Sequence, residues 1–151
     1  MVVVPFGDLK RQYEAIRAEL DQAAARAMAS GWYILGPEVR AFEAEFAAYC
    51  GTVHAIGVAS GSDALQLALA GLQLGPGDEV ITVANAGVPS TVAMLQAGTT
   101  PVFVDVDPRT CNLDPTKLEA AITPRTKAIL PVHLYGRAAD LAPIQEIADK
   151  H

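Results

Sequence analysis

Hydrophobic and polar positions follow two patterns along this chain, one before about residue 54 and one after it. Up to residue 53, apolar residues recur at steps of three and four, which predicts helices. Beyond it, four nearly continuous apolar runs start near positions 55, 79, 101 and 127 and alternate with helical patterns. The sequence therefore predicts an N-terminal helical segment, residues 1–53, followed by alternating strand and helix units, residues 54–151.

Capping and breaking residues place the helix ends. Asp8 is expected to cap a first helix that runs to about Ala29, and Pro37 and Gly51 are expected to bound the second. In the second part of the chain, helices are predicted after the runs, and the last one follows Asp140. Pro131 is unusual inside the fourth predicted strand, which covers 127–134.

Apolar strands separated by helices are typical of a parallel sheet with both faces covered. The predicted fold class is α/β, with a mostly parallel sheet covered by helices. Ligands of such sheets bind at the carboxyl ends of the strands. Four turns are expected there and form the candidate site, namely residues 60–63, 84–89, 105–107 and 133–136.

The turn at residues 60–63 joins the first apolar run to a helix. Ser62 and Asp63 are residue types that cap a helix, and the unpaired N–H groups at such an end suit a phosphate. A simple cap without a ligand is the alternative interpretation. Neither of the two common glycine-rich nucleotide motifs is present, so nucleotide binding through those motifs is not supported.

The other candidates each have a structural alternative. Asp105 and Asp107 could hold Mg²⁺ or exchange protons, but Asp-x-Asp before a proline favours a turn. His133 is a candidate base or stacking group, or else a core histidine. Trp32 and Tyr33 either pack against the second helix or line a site or a subunit contact.

Composition narrows the class of protein. The chain has 151 residues, 51% of them hydrophobic and 19% charged, which is typical of a soluble globular domain. A net charge of −6 with scattered basic residues argues against a nucleic-acid partner. No leader or membrane-length apolar window is evident, which favours a cytoplasmic protein with no membrane partner. Two distant cysteines without ligand spacing argue against zinc, and no metal site is predicted.

Several separated motifs together resemble one family. They are Gly-Trp-Tyr-Ile-Leu-Gly-Pro-Glu-Val at 31–39, Ser-Gly-Ser-Asp-Ala-Leu at 60–65, Gly-Pro-Gly-Asp-Glu-Val-Ile at 75–81, Pro-Val-Phe-Val-Asp-Val-Asp at 101–107 and Pro-Val-His-Leu-Tyr-Gly at 131–136. In this order they resemble the N-terminal part of the DegT/DnrJ/StrS sugar aminotransferases, over essentially the whole chain.

The resemblance implies part of the large domain of a fold type I pyridoxal phosphate enzyme, normally a homodimer with sites at the subunit interface. Such enzymes move an amino group from glutamate to a nucleotide-linked keto sugar. The cofactor-binding residues it implies are Gly61 and Ser62 at the phosphate, Asp63 beside them, and Asn85 and Gly87 near the ring. Trp32, Tyr33, His133 and Tyr135 are then candidates for substrate or interface contacts.

The resemblance also implies what this stretch lacks. The family has an aromatic residue in the turn that here reads Asn-Ala-Gly-Val-Pro at 85–89, so another group would have to stack on the ring. The family's ring-binding aspartate and Schiff-base lysine would follow residue 151, and none of the four lysines present stands in that context. We therefore expect no catalytic residue here and an N-terminal fragment that is inactive alone.

Two other functions stay open at this point. One is a sugar dehydratase of the same family, in which the downstream lysine is replaced. The other is a short phosphate-binding or regulatory module that does no chemistry. The residue at the lysine position distinguishes the first from the aminotransferase, and cooperative unfolding of the 151-residue chain would favour the second.

Overall fold

A computed structural model describes residues 4–151 of the chain. The contacts divide the chain into two compact units, with the division after Gly57. The helices and strands follow in this order: α1 Leu9–Ala15, α2 Arg17–Ser30, α3 Pro37–Cys50, α4 Gly61–Gly71, β1 Glu79–Val83, α5 Val88–Gln96, β2 Thr100–Val104, α6 Pro115–Leu118, β3 Thr126–Ile129 and α7 Leu141–Lys150.

The second unit contains a parallel sheet with the strand order β2-β1-β3. In register, Val83 of β1 pairs with Val104 of β2, and Ile81 pairs with Ile129 of β3. All three strands run in the same direction, so their carboxyl ends lie at one edge of the sheet. The α/β class with a parallel sheet, expected from the apolar runs, is confirmed.

Both faces of β1 are buried, because its alternate side chains enter two different cores. Val80 packs with Leu69 of α4 and with Ala93 and Met94 of α5. The opposite face packs against α6 and α7, and its buried members are Ile81, Val83, Val104, Leu113, Leu118 and Ile144. Helices on both faces explain why β1 is apolar without alternation.

The first unit consists of helices, and the capping residues correctly predicted the start of α1 and both ends of α3. Asp8 caps α1 and accepts a hydrogen bond from the Arg11 N–H at 2.9 Å. Pro37 opens α3, and Gly51 ends it in the left-handed conformation at φ 68°. The prediction of one continuous first helix was wrong, because Ile16 leaves the helical region at φ −128° and separates α1 from α2.

The strand predicted near position 55 is also wrong. In the described chain, residues 55–59 belong to no strand, and Ile56 is 80% exposed. A strand exists only when a neighbouring strand accepts and donates its backbone hydrogen bonds. The apolar run signals a tendency to be extended, but it carries no information about whether a partner strand lies beside it.

Two other elements are shorter than their patterns predict. The helix predicted after the third apolar run is only α6, four residues long, followed by a 3₁₀ turn, Glu119–Ala121. The fourth predicted strand is β3, which ends at Ile129, so Pro131 lies outside the ladder. This position explains how the proline is tolerated, since a residue outside the strand does not need an N–H to donate to a neighbouring strand.

Candidate functional site at the carboxyl edge of the sheet

The loops that follow β1, β2 and β3 all leave from the carboxyl edge. They begin after Val83, Val104 and Ile129 respectively. Side-chain hydrogen bonds then join these loops to one another across 22 to 26 residues of sequence. Three of the four turns predicted for the candidate site are therefore brought to one edge.

The start of α4 supplies the fourth turn, and its cap differs from the expected one. Ser60, not Ser62 or Asp63, is the N-cap, since its Oγ accepts from the Asp63 N–H at 3.2 Å and donates to Asp63 Oδ2 at 2.9 Å. The prediction of Ser62 and Asp63 as caps placed the helix start two or three residues too late. Gly61 and Ser62 are the first helical residues, whose N–H groups have no acceptor inside a helix.

The packing of α4 places this helix start at the carboxyl edge. Its last turn leads through residues 72–78 to the first residue of β1. Leu69 belongs to the same buried cluster as Val80, and Leu65 packs against that cluster. An 11-residue helix is about 16 Å long and a five-residue strand about 17 Å. We infer from this that α4 runs antiparallel to β1 and that its first turn lies near the carboxyl end of β1. Helix α5, which contacts α4, begins at the same edge.

The approach to Gly61 is open. A Cβ placed on Gly61 would meet no atom within 4 Å. The amides of Gly61 and Ser62 lie at the positive end of the helix dipole, and the hydroxyl of Ser62 adds a third donor beside them. Together these groups have the chemistry that a phosphate requires.

The loop after β1 carries Asn85 and Gly87. Asn85 Nδ2 donates to the carbonyl of Cys111 at 2.8 Å, so this side chain joins the loops after β1 and β2. Gly87 precedes α5 with extended backbone, and a Cβ there would be 3.3 Å from the Pro89 ring. The proposed role of both residues at a cofactor stays a prediction, while the link from Asn85 to Cys111 is an observed one.

The loop after β2 forms the turn that was favoured over a metal site. Asp107 Oδ1 accepts from the N–H groups of Arg109 at 2.7 Å and Thr110 at 3.1 Å. The bond from the Arg109 N–H holds the pKa of Asp107 below its usual value. Asp105 accepts from the Val106 N–H, with Lys117 Nζ at 3.2 Å, and both contacts lower its pKa. Both carboxylates thus serve the loop itself.

The loop after β3 carries His133 and Tyr135. His133 is exposed and lies four residues beyond β3, so neither the strand end nor the core position considered for it is correct. Its Nδ1 accepts from the Ala139 N–H at 2.9 Å, which leaves the ring proton on Nε2. Tyr135 is 87% exposed. Both side chains are available at this edge for contacts with a ligand.

Asn112 is a central residue of the edge that the sequence analysis missed. It is 3% exposed, accepts from the Leu134 N–H at 3.2 Å and donates to the Arg137 carbonyl at 3.1 Å. It also borders a cavity of about 290 Å³ that Arg109 and Arg137 line. An asparagine between a strand and a helix is an ordinary turn residue, so its type and position gave no signal.

The amino edge of the sheet has a second cluster that sequence reasoning missed. Glu79, 5% exposed at the start of β1, accepts from Thr123 Oγ1 at 2.6 Å and from Arg125 Nε and Nη2 at 2.8 and 2.6 Å. These bonds, that from Thr123 above all, lower the pKa of Glu79. A charged residue that opens an apolar strand was the available signal, since such a residue is buried only when paired.

The lysines of the second unit are engaged with other groups. Lys117 contacts Asp105 and Asp114, and the Asp105 carboxylate raises its pKa, which keeps the amine protonated. Lys127 donates to a backbone carbonyl and Lys150 pairs with Glu119. An amine that attacks a carbonyl needs a lowered pKa, the opposite of what Lys117 shows. That none of the three lysines forms a Schiff base stays a prediction.

Trp32 and Tyr33 belong to the first unit. Trp32 Nε1 donates to the carbonyl of Ile34 at 2.8 Å, and the Arg40 guanidinium of α3 lies 5.1 Å from the ring centre. Tyr33 donates to the carbonyl of Met28 at 3.2 Å and is 67% exposed. Trp32 therefore makes the contact with α3 that packing predicted. A role of either residue at a substrate or subunit contact stays a prediction.

Metal-binding clusters and membrane-spanning helices are both absent from the described residues. Within residues 4–151, no three His, Cys, Asp or Glu side chains are grouped so that they could hold a metal ion. The helices of that same range are too short or too polar to cross a membrane.

Comparison with known proteins gives the class of this chain. The model of the DegT/DnrJ/EryC1/StrS aminotransferase family matches residues 14–151. Solved structures of the same fold include DesV of S. venezuelae in complex with a ketimine intermediate, with a TM-score of 0.95 and 56% identity over 100% of this chain and 41% of that one. The ntda protein of Bacillus subtilis with bound cofactor PMP has a TM-score of 0.92 and 37% identity over 99% of this chain and 35% of that one.

The protein is thus an α/β chain of fold type I, and it belongs to the DegT/DnrJ/EryC1/StrS aminotransferase family, as the motifs had indicated. It is 57% identical to the dTDP-3-amino-3,4,6-trideoxy-alpha-D-glucose transaminase of Streptomyces venezuelae, over 98% of this chain and 39% of the relative. It is 48% identical to the UDP-2-acetamido-2-deoxy-3-oxo-D-glucuronate aminotransferase of Pseudomonas aeruginosa, over 99% of this chain and 42% of the relative. The chain spans about two fifths of the length of these relatives.

Proposed function

We propose that the protein takes part in transfer of an amino group from glutamate to a keto sugar carried on a nucleotide, with pyridoxal phosphate as cofactor. Membership of the family supports the reaction class. The names of the relatives, which include dTDP-linked and UDP-linked amino sugars, support a nucleotide-linked substrate. The observation that carries the proposal is the open, donor-rich first turn of α4 at the carboxyl edge of the sheet.

The residues at that turn fit the phosphate of the cofactor. The N–H groups of Gly61 and Ser62 and the hydroxyl of Ser62 are the donors, and the space over Gly61 is open to an oxygen. Ser60 and Asp63 bond to each other, which keeps the turn in shape and directs the Asp63 carboxylate to Ser60. The anion is further stabilised by the dipole of α4.

Pyridoxal phosphate, when bound, supplies a carbonyl that accepts amino groups and a ring that withdraws electrons. The chain's own contribution is to bind and orient. The α4 turn anchors one end of the cofactor, and Asn85 and Gly87 border the same edge, where the loop after β1 begins. His133 presents an Nε2 proton there as a hydrogen-bond donor.

A homodimer is part of the proposal, and the first unit supports it. Phe42, Phe46 and Tyr49 form a stacked row on α3, with ring centres 5.5 and 6.3 Å apart. They are 56%, 46% and 88% exposed. Exposed apolar rows of this kind mark surfaces that associate. Sedimentation of the protein should show a dimer, and a monomer at micromolar concentration would contradict this part.

The reaction itself is tested with ¹⁵N-glutamate in the protein as its gene encodes it. The protein is incubated with pyridoxal phosphate and a 3-keto sugar linked to dTDP or UDP. We expect the label in an amino sugar, and we expect no transfer when pyridoxal replaces pyridoxal phosphate. Loss of water from the sugar without transfer of label would indicate a dehydratase instead. Absence of both reactions with both nucleotides would contradict the proposed function.

A further inference from the structure

Asn112 brackets the most unusual turn of the carboxyl edge. Its Oδ1 accepts from the N–H of Leu134 and its Nδ2 donates to the carbonyl of Arg137. These two partners flank Tyr135 and Gly136. A single buried side chain thus fixes both ends of a two-residue segment, 22 and 25 residues away in sequence.

The bracketed segment has a conformation that residues with a Cβ disfavour. Tyr135 has φ 54° and ψ 31°, and Gly136 follows with φ 76°. The left-handed region suits Gly136 but not Tyr135. The Tyr135 ring is 87% exposed, so packing of the ring does not hold the conformation. The bonds of Asn112, together with that from the Arg137 N–H to the Leu134 carbonyl at 3.0 Å, do hold it.

The clamp extends to the neighbouring loop. Cys111, the residue before Asn112, is also left-handed at φ 58°, and its carbonyl accepts from Asn85 Nδ2. The N–H of Asp107 donates to the Asn112 carbonyl at 3.0 Å. Asn112 is therefore held in place by the loops after β1 and β2. Through its own side-chain hydrogen bonds it fixes the position of the loop after β3.

We infer that Asn112 is a positioning residue, which holds Tyr135 so that its exposed ring contacts the flat or apolar face of a nucleotide-linked sugar. A disfavoured backbone persists where the surroundings determine it, and such residues concentrate at ligand sites. A ring fixed before binding loses little freedom when a ligand packs on it. The identity of the ligand rests on the proposed function, whereas the clamp rests on the contacts above.

The test measures binding and loop order in the protein as its gene encodes it. The probes are dTDP-glucose and UDP-N-acetylglucosamine, titrated calorimetrically into the wild type, N112A, Y135A and the double variant. For the probe that binds better, each single change is expected to weaken binding by roughly fivefold. The double variant should be no weaker than Y135A, because Asn112 acts through Tyr135.

Three further variants separate positioning from general loss of structure. Thr99 is as little exposed as Asn112. Thr99→Val deletes the hydrogen bond from Thr99 Oγ1 to the Met94 carbonyl and should leave binding unchanged. N112D keeps the Oδ1 acceptor for the Leu134 N–H but has no Nδ2 donor for the Arg137 carbonyl. It replaces N112A in the titrations if N112A does not fold. Y135G keeps the turn without the ring, so the Leu134 amide should stay protected from hydrogen exchange while binding weakens.

Some outcomes overturn the inference. They are wild-type affinity in N112A or Y135G, an additive loss in the double variant, or an equal loss in T99V. Failure of the wild type to bind either probe contradicts the proposed substrate class and, with it, the contact of Tyr135. Normal wild-type binding together with an unaffected N112A contradicts the inference alone.

Discussion

The two edges of the sheet use polar groups in opposite ways. At the amino edge, the Glu79 carboxylate receives three hydrogen bonds from Thr123 and Arg125, and it is almost fully buried. At the carboxyl edge, the first amides of α4 have no helical acceptor, and His133 and Tyr135 are exposed. The first arrangement fastens β1 to the segment before β3. The second leaves donors and a ring available, which is what a ligand needs.

The largest effect on stability is expected at the amino edge. Replacing Glu79 by alanine removes the acceptor of all three bonds and leaves Arg125 and Thr123 without it. The midpoint of urea unfolding should be lower for E79A than for N112A or Y135G. The affinity for pyridoxal phosphate in the surviving folded protein should be unchanged. A weaker affinity would contradict the view that the amino edge stabilises the fold and only the carboxyl edge binds the ligand.

The same cluster should give stability a dependence on pH. The folded state lowers the pKa of Glu79 below its usual 4.5. Its contribution is therefore complete above that value and is lost as the pH falls through the folded pKa. The stability difference between the wild type and E79Q should shrink on acidification below about pH 4.5. A difference that stays constant from pH 7 to pH 3 would contradict the pairing.

A moderate loss is expected when Asn112 at the carboxyl edge is replaced by alanine. The N–H of Leu134 and the carbonyl of Arg137 lose their partner in a half-buried place, at a cost of about 1–2 kcal/mol. The free energy of unfolding in urea measures the loss. The control variant is T99V, because Thr99 is buried to the same extent as Asn112. A smaller loss of stability in N112A than in T99V would show that the hydrogen bonds of Asn112 are weak.

The smallest effect has the opposite sign. Tyr135→Gly removes the disfavoured left-handed conformation of a residue with a Cβ, which should stabilise the fold by about 1 kcal/mol. Thermal unfolding should occur a few degrees higher. If Y135G is more stable and also binds the ligand more weakly, the carboxyl edge sacrifices stability for binding, unlike the amino edge. Destabilisation would mean that the Tyr135 ring supports the fold.

Local signals in the sequence predicted much of the fold. Pro37 and Gly51 bound α3 because first-turn prolines and left-handed glycines act within a few residues of themselves. The apolar run of β1 predicted a strand buried on both faces, and the structure confirms it. The position of the candidate site in the loops at the carboxyl edge was predicted from the parallel arrangement of the strands alone.

The parts that sequence reasoning missed depend on distant partners. The run at 55–59 lacked a neighbouring strand, and nothing in the run itself reveals that. Glu79 and Thr123 are 44 residues apart, and Asn112 and Arg137 are 25 apart, so neither pairing follows from local spacing. The cap of α4 was misplaced for a different reason, since Ser60 and Ser62 are equally good capping types.

The most direct test of the account is a pair of substitutions at Gly61. This residue is at the first helical position, where proline is favoured, and Ser60 before it is extended, as a proline requires. Gly61→Pro therefore removes one N–H and keeps the helix, while Gly61→Ala adds a Cβ in open space and keeps the N–H. Affinity for pyridoxal phosphate is measured by titration, with pyridoxal as the ligand that lacks the phosphate. We predict that G61P binds pyridoxal phosphate about 10-fold more weakly than G61A, with equal affinities for pyridoxal. Equal binding of pyridoxal phosphate by the two variants would show that the first turn of α4 does not hold the phosphate.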